Sequence, residues 1–249
     1  MSRYSGHIYD TVVCFGDSLT QHGWNIERRG WTAQLAHAYI RRFDVINRGF
    51  SGFTTRLALR LLPQILPPSP VSSTGSKLRL LTIMFGSNDA ALAPSRQHVP
   101  IDEFRNNIVS MVKMVTCPES KYFAPDTKIL LITPPPLGEQ EAPAERTFAS
   151  VKACADAVRD VAMQLSIPCV DFWSAMVSKV SEDGQGGYER FLWDGLHLNA
   201  AGNDLLFTSL MQAIRQHFPD MGPDTMLYAL PDYRVISSDE EEMARQLQL

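Results

Sequence analysis

The sequence predicts a three-layer α/β/α sandwich built on a five-stranded parallel sheet. Three observations point there: five short apolar runs rich in β-branched residues, helix-period segments between them, and polar, glycine-bearing stretches directly after the first three runs. "TVVCF" (11–15) is the first expected strand and "DVIN" (44–47) the second. "LRLLTIMF" (78–85), "KILLIT" (128–133) and "PCVDF" (168–172) follow. Nearly continuous apolar runs suit strands covered on both faces, and parallel neighbours require crossover connections. Those crossovers are visible as helical spacings. Trp31, Leu35 and Tyr39 make one such stripe, and Ile101, Phe104, Ile108, Met111 and Val115 the next. Val151, Cys154, Val158, Val161 and Leu165 make a third, and Leu206, Leu210, Ile214 and Phe218 the last. No composition shift or repeat divides the chain, so 1–249 reads as a single domain with a C-terminal extension from about residue 219.

Composition narrows the function. A chain of 249 residues that is 45% hydrophobic can bury one sizeable core. Its net charge of −4 is too mild to suggest a nucleic-acid or anionic-membrane partner. Residues 1–11 lack the apolar core of a secretory signal, and no apolar run approaches membrane-spanning length. Cys14, Cys117, Cys154 and Cys169 are scattered without metal-binding or redox spacing, which predicts free thiols in a reducing compartment. A soluble cytoplasmic protein is expected. Two stretches, 67–77 and 134–145, read as loops, the second on the ligand-binding edge of the sheet. The extension carries Met221, Met226, Leu227, Tyr228, Leu230, Tyr233, Val235 and Ile236, too many apolar residues for a disordered tail. It is expected to dock across a two-fold homodimer interface, closing over the neighbouring substrate pocket, with packing back on its own domain as the alternative. The acidic "SSDEEEMARQLQL" (237–249) beyond it reads as a solvated helix.

The polar residues gather at strand ends. Gly16-Asp17-Ser18 follows the first run, "NRGFSG" (47–52) the second and "GSND" (86–89) the third. In a parallel sheet these share one edge. Downstream, "WDGLHLNAAG" (193–202) supplies Asp194 and His197 just before the last helix. A carboxylate three residues before an imidazole can bind one ring nitrogen and leave the other free to take a proton. Each piece alone has an ordinary role: Ser18 as a helix cap, Asp194–His197 as a structural pair, "GSND" as a turn. All four occur together, in order, and make a constellation for acyl transfer. Other motifs fall away. The G-x-S-x-G elbow is absent around Ser51, "GQGG" (184–187) follows no strand, and the remaining histidines show no metal-ligand spacing.

The four blocks "GDSL" (16–19), "NRGFSG", "GSND" and "DGLH" (194–197) resemble those of the GDSL/SGNH hydrolases. "NRGFSGFTTR", "FGSNDAAL", "QHVPIDEF", "ITPPPL" and "DGLHLNAAG" look most like the isoamyl acetate-hydrolysing esterase branch. The resemblance spans about Val12 to Phe218 and implies the flavodoxin-like SGNH fold. It implies Ser18 as nucleophile, His197 as general base and then acid, and Asp194 as the residue that orients it. The oxyanion hole would comprise the Ser18 and Gly52 N–H groups and the Asn88 side chain, with no metal and no organic cofactor. Trp24, Phe50 and Phe53 flank the blocks and, with Asp17, are assigned to the substrate pocket, although core packing would equally explain the aromatic residues. The expected partner is a small-molecule ester, hydrolysed through an acyl-Ser18 intermediate. A lysophospholipase, thioesterase or carbohydrate-ester deacetylase, or a binding protein without turnover, would use the same scaffold.

Overall fold

A computed structural model describes residues 9–67, 76–138, 145–183 and 187–247 of the chain. Most of the 67–77 stretch, half of 134–145 and most of "GQGG" lie outside the described residues. Five strands, β1 (Asp10–Gly16), β2 (Phe43–Gly49), β3 (Leu78–Met84), β4 (Lys128–Ile132) and β5 (Cys169–Val170), pair in the order β2-β1-β3-β4-β5, all parallel. All five lie where the apolar runs are. The fifth is shorter than its run, because Asp171 turns the chain into a helix by accepting the Ser174 N–H on Oδ1 at 3.1 Å.

Register decides what the edge looks like. Gly16 pairs with Gly49 on one side and Met84 on the other, Met84 with Ile132, and Ile132 with Val170. One row of residues therefore crosses the whole sheet at its carboxyl end. Whatever follows these residues emerges side by side.

Helices α1 (Ser18–Gln21), α2 (Trp31–Ala38), α3 (Thr55–Leu61), α4 (Ile101–Thr116), α5 (Phe148–Leu165), α6 (Phe172–Asp183), α7 (Ala200–His217) and α8 (Glu240–Gln246) complete the described elements, with short 3-10 turns between them. Strand alternation sorts the core into two layers. Val13, Phe15, Leu81, Ile83, Ile129 and Leu131 face α3, α4 and α5. Val12, Cys14, Leu80, Met84, Leu130 and Ile132 face α2, α6 and α7. This is the predicted three-layer sandwich. All four cysteines are unpaired, and no described helix is long and apolar enough to cross a membrane.

The extension lies along its own chain. The Tyr39 hydroxyl donates to the Met221 carbonyl at 2.7 Å, and the Ala229 N–H to the Arg41 carbonyl at 2.9 Å. Arg41 Nη2 donates to the Pro231 carbonyl at 2.8 Å, while the guanidinium groups of Arg41 and Arg42 lie 4.5 and 4.6 Å from the Tyr228 ring centre. Leu227 and Tyr233 remain 88% and 80% exposed. Helix α8 has no buried residue, and Asp239 caps it through the Glu242 N–H.

One buried side chain ties α7 to the first turns. Asn203 Oδ1 accepts the Trp31 N–H at 3.2 Å, and its Nδ2 donates to the carbonyls of Arg28, Leu198 and Asn199 at 3.0–3.2 Å. Replacing it with Ala would orphan several buried backbone groups at once. We expect Asn203→Ala to cost on the order of 2–4 kcal/mol, read as a lower urea midpoint with unchanged slope.

Candidate active site

Ser18 opens α1 directly after β1. Asp17 caps this single turn, its Oδ1 accepting the Leu19 N–H at 2.9 Å. The turn is pinned from both sides: Trp31 Nε1 donates to the Leu19 carbonyl at 3.1 Å, and Asn47 Nδ2 to the Thr20 carbonyl at 2.6 Å. A Cβ on Gly49 would fall 2.0 Å from the Gln21 nitrogen, so only glycine lets β2 end against α1. Ser18 is held with little freedom, and its N–H makes no hydrogen bond to a described residue.

Asp194 and His197 sit in a tight loop closed by the Leu192–Leu198 bridge and the Trp193 N–H on the His197 carbonyl at 2.9 Å. Asp194 Oδ1 accepts the backbone N–H groups of His197 and Leu196 at 2.7 and 3.1 Å, and Oδ2 lies 2.6 Å from His197 Nδ1. The other ring nitrogen, Nε2, stands 2.9 Å from Ser18 Oγ, across 179 residues of chain. A carboxylate at Nδ1 places the proton there and leaves Nε2 able to accept one. Burial alone would raise the Asp194 carboxyl, but the backbone and ring N–H groups of His197 outweigh it and hold it below the ordinary range. His22 meets the His197 ring edge-on at 5.2 Å. Burial, then His197 and Arg28, depress His22, so it stays neutral beside its neighbour. Trp193 stacks on the other side of His197 at 5.5 Å, under the Arg28 guanidinium.

The second and third blocks join from the adjacent strands. Gly52 holds φ +78°, open to solvent, and its N–H makes no hydrogen bond to a described residue. Asn88 is 4% exposed and donates from Nδ2 to the Phe53 carbonyl at 2.9 Å. Asp89 binds the N–H and hydroxyl of Thr55, tying the third block to the start of α3. Sequence reasoning missed Gln97 and Arg146, which both reach Asn88 Oδ1. Neither belongs to the four blocks; Gln97 opens "QHVPIDEF", a stretch that carries the family resemblance, but nothing in it points to a contact with Asn88, and Arg146 lies in none of the quoted stretches. It also read His22 as an ordinary histidine, although its place four residues after Ser18 in the first turns was a usable signal.

Asp17 is fully buried beneath the Ser18 turn, where Oδ1 caps the turn and Oδ2 has no hydrogen-bond partner among the described residues. The Phe50 and Phe53 rings meet in a tilted arrangement at 5.2 Å, partly buried against the core, and the Phe50 N–H binds the Gly16 carbonyl at 2.9 Å. Trp24 ends the 3-10 turn after α1 and is 47% exposed. Among the described residues no group of three His, Cys, Asp or Glu side chains is placed to hold a metal ion.

A family model described as "GDSL-like Lipase/Acylhydrolase family" matches residues 14–205. The chain belongs to the GDSL-like lipase/acylhydrolase family. It is therefore a carboxylic-ester hydrolase. Among curated relatives of this GDSL enzyme, the Bos taurus isoamyl acetate-hydrolyzing esterase 1 homolog is 34% identical, over 95% of this chain and 92% of that one. The isoamyl acetate-hydrolyzing esterase of Saccharomyces cerevisiae is 29% identical, over 93% of this chain and 97% of that one. Among solved structures, a lipase/acylhydrolase from Enterococcus faecalis superposes with a TM-score of 0.60 at 25% identity, covering 83% of this chain and 96% of that one.

Beneath the site of this GDSL enzyme lie two buried carboxylates. Burial pushes Asp17 up to about 7 and Asp89 up to about 6; hydrogen bonds from Leu19 and Thr55 respectively offset part of it. A folded-state value above the unfolded one, about 4 for aspartate, means that folding takes up protons. Stability from this source is complete at low pH and is lost as pH rises through about 7. We expect Asp17→Asn, which keeps the Oδ1 cap, to gain stability relative to the parent between pH 5 and pH 8. Urea midpoints of both proteins measured across that range check this; a constant difference refutes it.

Proposed function

We propose that this esterase hydrolyses small aliphatic, acetate-type esters through an acyl-Ser18 intermediate, with Ser18, His197 and Asp194 as its catalytic residues. The observation that carries the mechanism is the unbroken chain from Ser18 Oγ to His197 Nε2 (2.9 Å) and from Nδ1 to Asp194 Oδ2 (2.6 Å). Ser18 Oγ attacks the ester carbonyl carbon as its proton passes to His197 Nε2. The carbonyl oxygen becomes an oxyanion, met by the unpaired Ser18 and Gly52 N–H groups and the second Nδ2 hydrogen of Asn88. Helix α1 is one turn long, so these donors act individually and not through a helix dipole. The bond to the alkoxy oxygen breaks, and the alcohol departs with the proton from Nε2. Water then attacks the acyl carbon, giving its proton to Nε2. The acid leaves and Ser18 regains its hydrogen. Asp194, held ionised, keeps the imidazole in the required tautomer.

Two features support short acyl chains. The yeast relative is named for isoamyl acetate, and it aligns over nearly the whole chain. Phe50 and Phe53, in tilted ring contact at 5.2 Å just after β2, and the half-exposed Trp24 are the aromatic side chains that would wall a compact acyl pocket. Four unpaired cysteines favour a reducing compartment such as the cytoplasm as the setting.

A p-nitrophenyl ester series from acetate to palmitate tests the substrate. We expect kcat/KM to peak between acetate and butyrate and to fall at least tenfold by octanoate; a maximum at long chains overturns the short-chain reading. Ser18→Ala should abolish turnover with the thermal midpoint nearly unchanged, since a small polar side chain is removed. His197 must be neutral to accept a proton, so kcat/KM should drop from pH 8 to pH 5. Equal rates at both pH values, with chemistry rate-limiting, would falsify the general-base role.

A further inference from the structure

We propose that Gln97 and Arg146 are positioning residues that lock the two outer oxyanion donors, Gly52 and Asn88, into one rigid unit. This rests on the oxyanion-hole reading above and adds to it what makes the hole rigid. Gln97 touches both donor residues: Nε2 donates to the Gly52 carbonyl at 2.9 Å and to Asn88 Oδ1 at 3.2 Å. Arg146 lies behind it. Its Nη2 donates to Gln97 Oε1 at 2.6 Å and to Asn88 Oδ1 at 3.1 Å, and its Nε to the Ser87 carbonyl at 2.6 Å. Gln97 comes from the loop between β3 and α4, and Arg146 from the residues just before α5.

The pattern of donors gives these contacts their consequence. An asparagine amide has two faces, and only the NH₂ can serve an oxyanion. Guanidinium has donors and no acceptors. Flipping Asn88 would turn its NH₂ onto Arg146 and its carbonyl toward the oxyanion, which is unfavourable at both ends. With Oδ1 saturated by Gln97 and Arg146, one Nδ2 hydrogen serves the Phe53 carbonyl and the other is left for the reacting oxygen. The cation on Oδ1 also polarises the amide and strengthens it as a donor. Gly52 has the opposite problem: at φ +78° in an exposed loop, it has no side chain to anchor it. The Gln97 amide on its carbonyl supplies that anchor.

A double-mutant cycle on the full chain, with p-nitrophenyl acetate as substrate, separates positioning from tethering. Asn88→Ala should lower kcat about a hundredfold or more. Arg146→Met should lower kcat about tenfold, with KM changed less than about twofold, and its effect should shrink to under about threefold when Asn88 is already Ala. Gln97→Glu keeps the partner for Arg146 but loses the donor, and should also act on kcat. Should Arg146→Met not fold, Arg146→Lys, which keeps one cation without the fork, runs the same cycle. An equal loss from the Arg146 substitution in both backgrounds, or a loss confined to KM or to the thermal midpoint, overturns the proposal. Undiminished kcat in Asn88→Ala removes the oxyanion reading itself, and this proposal with it.

Discussion

The parallel pairing of β1 with β2 on one side and β3 on the other is the constraint from which the site follows. Antiparallel strands would send their connecting loops to opposite edges. Here Gly16, Gly49 and Met84 share a row, so the Ser18 turn, the Gly52 loop and the Asn88 loop leave the sheet together. β4 continues the row through Ile132, and the Gly138 N–H beyond it reaches the Gly195 carbonyl at 2.8 Å, beside Asp194. The fourth block therefore attaches to the same edge, although it belongs to the loop before α7 and follows no strand directly.

Crowding at that edge is resolved by polar side chains satisfying backbone groups. Asn47 serves the Thr20 carbonyl, Trp31 the Leu19 carbonyl, and Asn203 both the start of α2 and the His197 loop. Each supplies a partner that a buried turn cannot find in water. The cumulative effect is to fix the Ser18–His197 separation through side chains remote in sequence, which keeps reacting groups in position at no further entropic cost when substrate arrives.

Three aspartates show how environment, not residue type, sets the role. Asp194 gathers N–H donors from its own loop and is held as a carboxylate, fit to steady a cationic imidazole. Asp17 and Asp89 are buried more deeply with fewer donors, and both are pushed upward. Adjacent positions of two short motifs thus do different work: Ser18 and Asn88 are the residues proposed to act on the ester, while Asp17 caps the Ser18 turn and Asp89 ties its loop to Thr55.

The sequence by itself determined the strands, the main crossover helices and the four polar blocks, because hydrophobic period and strand-end glycines are local properties. It also carried the short contiguous blocks that hold Ser18, Gly52, Asn88, Asp194 and His197, the residues proposed for the site. Only the tertiary structure decided what stands around them. Gln97 and Arg146 reach Asn88 from separate loops, and His22 and Trp193 flank His197. The extension turned back onto Arg41 and Arg42, which its composition left open. Apolar residues report that a surface is buried, not against what. Arg146 meets Asn88 across 58 residues and His22 meets His197 across the sheet edge, while Gln97 and Trp193 approach through irregular loops; none of these contacts leaves a periodic or spacing signal, so each appears only when the chain has folded.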